Sequence, residues 1–169
     1  MSIENLSSQT KNTTTILLNC FINDNEIVLE VPATYRLVDI LRKKLDLTGT
    51  KISCEVGRCG ACSVLMNGNL VNSCLLMAYQ IQGSSINTIE YMSKESMNPI
   101  QQAFLEEGAL QCGYCTPGMV MALKSLLSTN PSPSLEEIEI ALSGNLCRCT
   151  GYNGIIRAVS RYIENSQSS

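Results

Sequence analysis

The pattern of apolar and polar residues changes along the chain from strand-like to helical. In the first half, apolar residues 16–22 and 27–31 flank Asn23-Asp24-Asn25, which predicts a β-hairpin. A second hairpin is predicted around Asn67-Gly68-Asn69, since short apolar runs lie on both sides of this turn sequence. The predicted strands beyond the first hairpin are residues 63–66, 70–72 and 85–90.

The helices are predicted from apolar residues that recur every three or four positions. Thr34 is a suitable N-cap for a helix with its apolar face at Leu37, Val38, Leu41 and Leu45. From residue 98 onward the pattern is helical throughout. Four more helices are predicted there, starting at Asn98-Pro99, Thr116-Pro117, Ser134 and Asn153-Gly154.

These patterns predict an α+β protein with two domains. Residues 1–14 form a polar tail, residues 15–91 a small mixed sheet with one helix, and residues 92–165 a compact four-helix domain that begins with a polar linker. A domain of about 75 residues is near the lower limit for stability without a metal or a disulfide. We therefore expect the first domain to be stabilised by a metal or a disulfide.

Composition narrows the possible chemistry. The 169 residues include nine cysteines but no histidine, which excludes an imidazole base, a histidine metal ligand and a Cys-His pair within this chain. The formal charge of -3 is spread without runs, so a surface for nucleic acid or an anionic membrane is not expected. No G-x-G-x-x-G or P-loop sequence is present, so we expect no nucleotide site.

The first residues indicate the compartment. Residues 1–15 are polar with Lys11 as the only basic residue, and no apolar run approaches about 18 residues. We therefore expect a cytoplasmic protein with neither an export signal nor a membrane span. Structural disulfides are rare in a reducing cytosol, so clustered cysteines there indicate metal or redox chemistry.

Four cysteines have the spacing C-x4-C-x2-C-x11-C, namely Cys54, Cys59, Cys62 and Cys74. The C-x4-C-x2-C…C spacing is that of plant-type [2Fe-2S] ferredoxins. Gly57 and Gly60 allow sharp turns that aim backbone N–H groups at cluster sulfur atoms. A structural zinc site with four cysteines is the alternative, although such sites usually have two C-x2-4-C pairs and only one is present here.

Four further cysteines lie at the bends of two predicted helical hairpins, namely Cys112, Cys115, Cys147 and Cys149. If the bends meet tip to tip, they enclose one site with four thiolates, with the N-termini of two helices directed at it. On spacing alone, a zinc site or four unrelated cysteines stay open, because C-x-C is not specific for iron. Cys20 lies in a strand among apolar residues and is predicted to pack in the core.

Three sequence motifs resemble the small iron-sulfur subunit of the molybdenum hydroxylases, the xanthine oxidase family. They are residues 54–62 (CEVGRCGAC), 111–119 (QCGYCTPGM) and 144–152 (GNLCRCTGY). The resemblance implies a β-grasp ferredoxin-like domain followed by a four-helix domain, with one [2Fe-2S] cluster in each. It also implies that Gln111 and Cys149 contact a molybdopterin on a partner subunit.

The resemblance implies an electron-transfer role rather than catalysis by this chain. Electrons would pass from molybdopterin in a large subunit, through both clusters, to FAD in a medium subunit and then to NAD or another acceptor. The expected substrate is a purine such as xanthine, with nicotinate or another N-heterocycle, an aldehyde or carbon monoxide as alternatives. A free-standing ferredoxin-like carrier and a zinc-binding module are alternatives of another class.

Overall fold

The computed structural model describes residues 14–93 and 96–167. The predicted tail therefore lies outside the described residues except for Thr14, and so do Lys94 and Glu95 of the predicted linker. Within the described part, a five-stranded mixed sheet with one helix is followed by four further helices. A mixed α/β structure is thus confirmed, whereas the β-grasp class and the domain limits stay predictions.

The first hairpin forms as predicted. Strands β1 (Thr15–Ile22) and β2 (Asn25–Pro32) are antiparallel, with Ile22 opposite Asn25. The two residues between them, Asn23 and Asp24, have φ angles of 52° and 66°. Asparagine and aspartate tolerate this left-handed conformation better than most residues, which is why this pair suits a two-residue hairpin turn.

The first helix begins later than the sequence predicted. Helix α1 spans Leu37–Lys44, and its N-cap is Arg36 without a side-chain cap, so the assignment of Thr34 as N-cap was wrong. Arg36 pairs with Met77 in an isolated β-bridge and has an extended backbone, with ψ at 145°. This pairing delays the helix until the next residue. The predicted apolar face is confirmed for Leu37, Val38 and Leu41, which are fully buried.

The remaining strands complete the sheet in the order β2-β1-β5-β3-β4. Strands β3 (Ser63–Met66) and β4 (Asn69–Asn72) form the second predicted hairpin, and β5 (Ser85–Asn87) lies parallel to β1 and antiparallel to β3. The last strand is shorter than predicted, because Thr88 leaves the sheet: its amide donates to Asn23 Oδ1, and residues Ile89–Ser93 form a 3-10 helix.

Four helices follow, at the positions that the sequence predicts: α2 (Pro99–Glu106), α3 (Thr116–Thr129), α4 (Leu135–Leu142) and α5 (Asn153–Gln167). Their shared core is built on four fully or almost fully buried side chains, Phe104, Met119, Leu123 and Ile155. Helix α3 contacts α4 and also strands β3 and β4. The helical half therefore packs directly against the sheet. No helix within the described ranges is long and apolar enough to cross a membrane.

Ser134 starts α4 with a capping box. Its Oγ accepts from the Glu137 amide at 3.3 Å, and the Glu137 carboxylate accepts from the Ser134 amide at 2.7 Å. We expect Ser134→Ala to lower the free energy of unfolding by about 1 kcal/mol, because it removes this cap. Ser128→Ala is the control, since that hydroxyl only donates to a carbonyl of its own helix. Equal effects in urea unfolding would contradict the role of the cap.

Candidate metal centres

The first four candidate ligands lie between the end of α1 and the residues after β4: Cys54, Cys59, Cys62 and Cys74. The register of β3 and β4 places Ser63 opposite Asn72. Beyond this pair, the amide and the hydroxyl of Ser73 donate to the Cys62 carbonyl oxygen at 3.2 and 2.7 Å. The Cys62 and Cys74 side chains, both buried, are then within hydrogen-bonding distance of each other. The hairpin therefore positions this pair.

Cys54 and Cys59 form a second pair in the loop before β3. The Cys54 sulfur accepts hydrogen bonds from the amides of Val56, Arg58 and Cys59, the Arg58 bond measuring 3.3 Å. These amides, Val56 first, and the Cys59 side chain lower the pKa of the Cys54 thiol to about 7, although partial burial opposes them. Since the thiolate is the metal ligand, a lowered pKa favours metal binding. Gly57, with a φ of 73°, allows the sharp turn that directs these amides.

The second four candidate ligands lie in the loops between α2 and α3 and between α4 and α5. The Cys149 thiol is 3.7 Å from the Cys112 sulfur, and the Cys115 and Cys147 side chains are also within hydrogen-bonding distance. The two loops therefore meet, as the sequence predicted. Cys115 is the N-cap residue of α3, so the unpaired N–H groups of that first turn lie beside the second site.

The two pairs of the second site differ in environment. Cys112 and Cys149 are exposed, whereas Cys115 and Cys147 are half-buried. Burial, followed by the neighbouring Cys147, raises the pKa of Cys115 to about 12. Burial also acts to raise the pKa of Cys147, but hydrogen bonds led by the Thr150 hydroxyl and amide outweigh it and lower that pKa to about 7. Of this half-buried pair, Cys147 therefore loses its proton more readily and becomes the thiolate.

The pairwise arrangement of sulfur atoms suits a two-iron cluster. A [2Fe-2S] cluster with four cysteines takes two thiolates at each iron, whereas a structural zinc site gathers four ligands at one ion. Two sulfur pairs, with backbone donors at the first site and backbone and hydroxyl donors at the second, therefore fit the cluster at each site.

Direct hydrogen bonds join the two sites. The Leu146 amide donates to the Cys59 carbonyl oxygen at 3.0 Å. The Asn145 side-chain amide donates to the Gly60 carbonyl oxygen at 3.1 Å, and Asn145 is only 4% exposed. Leu146 directly precedes Cys147, so a candidate ligand of one site is linked through one hydrogen bond to a candidate ligand of the other.

Two glycines permit this close contact. A Cβ atom added to Gly118, in the first turn of α3, would lie 2.1 Å from the Gly60 carbonyl oxygen. One added to Gly60 would lie 2.4 Å from Asn145 Nδ2, and Gly60 also has a φ of 66°. Both distances are too short for a carbon atom, so glycine is required on each side of the contact.

Tyr152 supports the loop that carries Cys147 and Cys149. Its hydroxyl donates to the Asn145 carbonyl oxygen at 3.0 Å and accepts from the Cys147 amide at 2.9 Å. Sequence reasoning assigned no role to Asn145, Thr150 or Tyr152 beyond their place in a family motif. Burial of the Asn145 side chain indicates a structural role in the loop, but burial cannot be seen from a loop sequence.

The remaining predicted residues occupy distinct positions. Gln111 is exposed in the same loop as Cys112, whose sulfur contacts that of Cys149. The exposed edge of the second site thus carries both residues predicted to contact the pterin. Cys20 is fully buried in the core between the sheet and α1, as predicted, and burial raises its thiol pKa to about 11.

Both halves of the chain match known domain families. Residues 20–83 match the family described as 2Fe-2S iron-sulfur cluster binding domain, and residues 88–160 match the one described as [2Fe-2S] binding domain. Together these two matches cover most of the chain and all eight candidate ligands.

Three relatives extend the match over both halves. A probable xanthine dehydrogenase subunit of Bacillus subtilis (strain 168) is 59% identical over 134 residues, covering 79% of this chain and 77% of the relative. The nicotine 6-hydroxylase small subunit of Paenarthrobacter nicotinovorans is 50% identical over 138 residues, covering 82% of this chain and 84% of the relative.

The third relative is a solved structure, a chain of quinoline 2-oxidoreductase from Pseudomonas putida 86. It superposes with a TM-score of 0.86 at 42% identity, covering 92% of this chain and 98% of that chain. The chain belongs to the family of [2Fe-2S] electron-transfer subunits of xanthine dehydrogenase-like molybdenum hydroxylases.

Proposed function

We propose that this chain conducts electrons from the molybdopterin of a large partner subunit to the FAD of a medium partner subunit. Cys112, Cys115, Cys147 and Cys149 hold the [2Fe-2S] cluster that receives the electrons, and Cys54, Cys59, Cys62 and Cys74 hold the cluster that passes them on. Each [2Fe-2S] cluster, when bound, accepts and releases one electron. This chain carries no catalytic residue in the proposal, because the substrate reacts on the large subunit.

The hydrogen bond from the Leu146 amide to the Cys59 carbonyl oxygen, 3.0 Å long, carries the proposal. It shortens the route between the two ligand sets to a few covalent bonds and one hydrogen bond. The buried Asn145 bond to Gly60 lies beside it and holds the two loops at this distance. Two independent carriers joined in one chain would have no reason to place their ligand loops in direct contact.

The ends of this route face outward on the described surface. At the second site, Cys112 and Cys149 are exposed together with Gln111, which supports contact of Gln111 and Cys149 with molybdopterin. At the first site, Val56 and Leu75 are apolar yet 61% and 51% exposed. Exposed apolar side chains beside a ligand loop suit burial against a partner, and we assign this surface to the FAD-binding subunit.

The proposed reaction is the oxidative hydroxylation of a purine such as xanthine, with NAD or another acceptor taking the electrons from FAD. The xanthine, nicotine and quinoline in the names of the three relatives are all nitrogen heterocycles. An aldehyde oxidoreductase is also among the relatives, so an aldehyde is the second candidate class. We place the complex in the cytoplasm, where free cysteines persist.

The test is purification of the native complex under anaerobic conditions. We expect about four irons and four sulfides per copy of this chain, co-elution with two larger subunits in size-exclusion chromatography, and bleaching of the cluster absorption when xanthine is added. Zinc in place of iron would contradict the cluster assignment, and elution at the mass of the single chain would indicate a free carrier. Bleaching by nicotinate or an aldehyde but not by xanthine would correct the substrate alone.

A further inference from the structure

Thr150 makes two hydrogen bonds to one candidate ligand. Its hydroxyl donates to Cys147 Sγ at 3.1 Å, and its amide donates to the same sulfur at 3.4 Å. The Tyr152 amide donates to Thr150 Oγ1 at 3.3 Å. The hydroxyl oxygen accepts from the Tyr152 amide through a lone pair, so its single hydrogen remains available to donate to the sulfur.

The sulfur atoms of the second site are not equally supplied with donors. Cys147 accepts from the hydroxyl and amide of Thr150 and from the Cys149 amide, whereas Cys149 accepts from the Cys112 amide. Cys112 and Cys149 are exposed, so in the free chain water also donates to them. In the proposed complex the large subunit covers this edge and excludes that water, so the donors of Thr150 set the difference between the two ends.

We infer that Thr150 is a positioning residue for electron transfer: its two hydrogen bonds to Cys147 hold the added electron at the Cys115–Cys147 end of the second cluster. The inference rests on the proposed function. One electron is added, no proton moves and no covalent bond forms or breaks; the electron comes from molybdopterin in the complex. Added negative charge on sulfur strengthens a hydrogen bond to it, so these donors favour the reduced cluster and raise its potential.

The end that Thr150 favours is the one that leads to the first site. Cys147 is covalently bonded to Leu146, and the Leu146 amide donates to the Cys59 carbonyl oxygen. An electron held near Cys147 therefore lies beside the hydrogen bond that joins the two ligand sets. Thr150 combines two effects: it makes reduction of the second cluster easier, and it places the charge on the side of the first cluster.

The experiment is a redox titration of the purified complex, followed by EPR of the reduced clusters. In Thr150→Val, the ratio of reduced to oxidised second cluster at a fixed ambient potential should fall about tenfold, which is about 59 mV for a one-electron couple. The first cluster should keep its potential. An unchanged second potential in Thr150→Val would overturn the inference.

Two variants separate the hydrogen bond from other effects of the substitution. Thr150→Ser keeps the hydroxyl and should stay within about twofold of the wild-type ratio, since the donor is retained. Thr129→Val removes a hydroxyl that donates to the Leu126 carbonyl oxygen at the end of α3 remote from the second site. It should leave the potential unchanged. A shift in Thr129→Val equal to that in Thr150→Val would assign the effect to the loss of a hydroxyl in general and overturn the role of Thr150.

If Thr150→Val does not retain the second cluster, the inference is tested on the wild-type complex instead. Pulsed EPR in D2O should detect a strongly coupled exchangeable deuteron at the reduced second cluster, and its absence would overturn the inference. Iron and sulfide analysis of the wild type distinguishes the two levels of failure. A wild type without two clusters refutes the proposed function, whereas two clusters with an unshifted potential in Thr150→Val refute only the role of Thr150.

Discussion

Gly118→Ala should lower the free energy of unfolding by about 2 to 3 kcal/mol, because overpacking at a close contact costs this much. The added methyl group would lie 2.1 Å from the Gly60 carbonyl oxygen and 3.2 Å from Asn145 Nδ2. Helix α3 also contacts β3 and β4, so it can retreat from the methyl group only by opening the contact between helix and sheet. The substitution should also slow electron transfer between the clusters, since the Leu146–Cys59 hydrogen bond lies in the same contact.

The matched control is Gly144→Ala, in the loop that contacts Gly118. An added Cβ at Gly144 meets no atom within 4 Å, and its φ lies outside the range reserved for glycine. Denaturant unfolding of the cluster-loaded complex and rapid-mixing absorption measurements provide the two readouts. Equal stability of the two variants would show that the Gly60–Gly118 contact does not constrain the packing of the helical half on the sheet.

Cys115→Ala should remove the second cluster and leave the first. The iron content of the complex should fall from about four to about two per chain, because each [2Fe-2S] cluster contains two irons. Cys115 is half-buried at the N-cap of α3 and pairs with Cys147, so its loss leaves that end of the site with one thiolate. The reduced variant should show one EPR signal where the reduced wild type shows two. Substrate should no longer reduce the cluster that remains.

Cys20→Ala is the control for this loss. Cys20 is fully buried between the sheet and α1, among apolar side chains. Its replacement should cost about 1 kcal/mol of stability as a small cavity and leave the iron content at about four. Retention of four irons in Cys115→Ala, or loss of iron in Cys20→Ala, would refute the assignment of ligands.

Local features of the structure could be predicted from sequence because they depend on neighbouring residues. The turn at Asn23-Asp24 and the capping boxes at Asn98 and Ser134 use side chains within a few positions of the backbone groups that they satisfy. The start of α1 could not be predicted from sequence, because Arg36 is held extended by Met77, which is distant in sequence. Long-range pairing overrode the preference of Thr34 for an N-cap position.

At the candidate sites too, some features could be predicted from sequence and others could not. The spacing of cysteines placed three in one loop, Cys74 after the second hairpin and four at two helical bends. The structure brings Cys112 to Cys149 and Cys115 to Cys147. The hydrogen bonds that support the ligand loops were less accessible to prediction. Thr150 is three residues from its acceptor Cys147 and was a local signal that could have been used, whereas the Asn145 bond to Gly60 spans 85 residues.

The contact of Gly60 with Gly118 and Asn145 has a consequence for protein engineering. The two halves match separate domain families, which suggests that either half could be exchanged for that of a relative. Such a chimera would join a Gly60 loop from one parent to an α3 and a 144–147 loop from another. A side chain larger than that of glycine at position 60 or 118 would separate the loops, so the two halves should be transferred between relatives together, as one part.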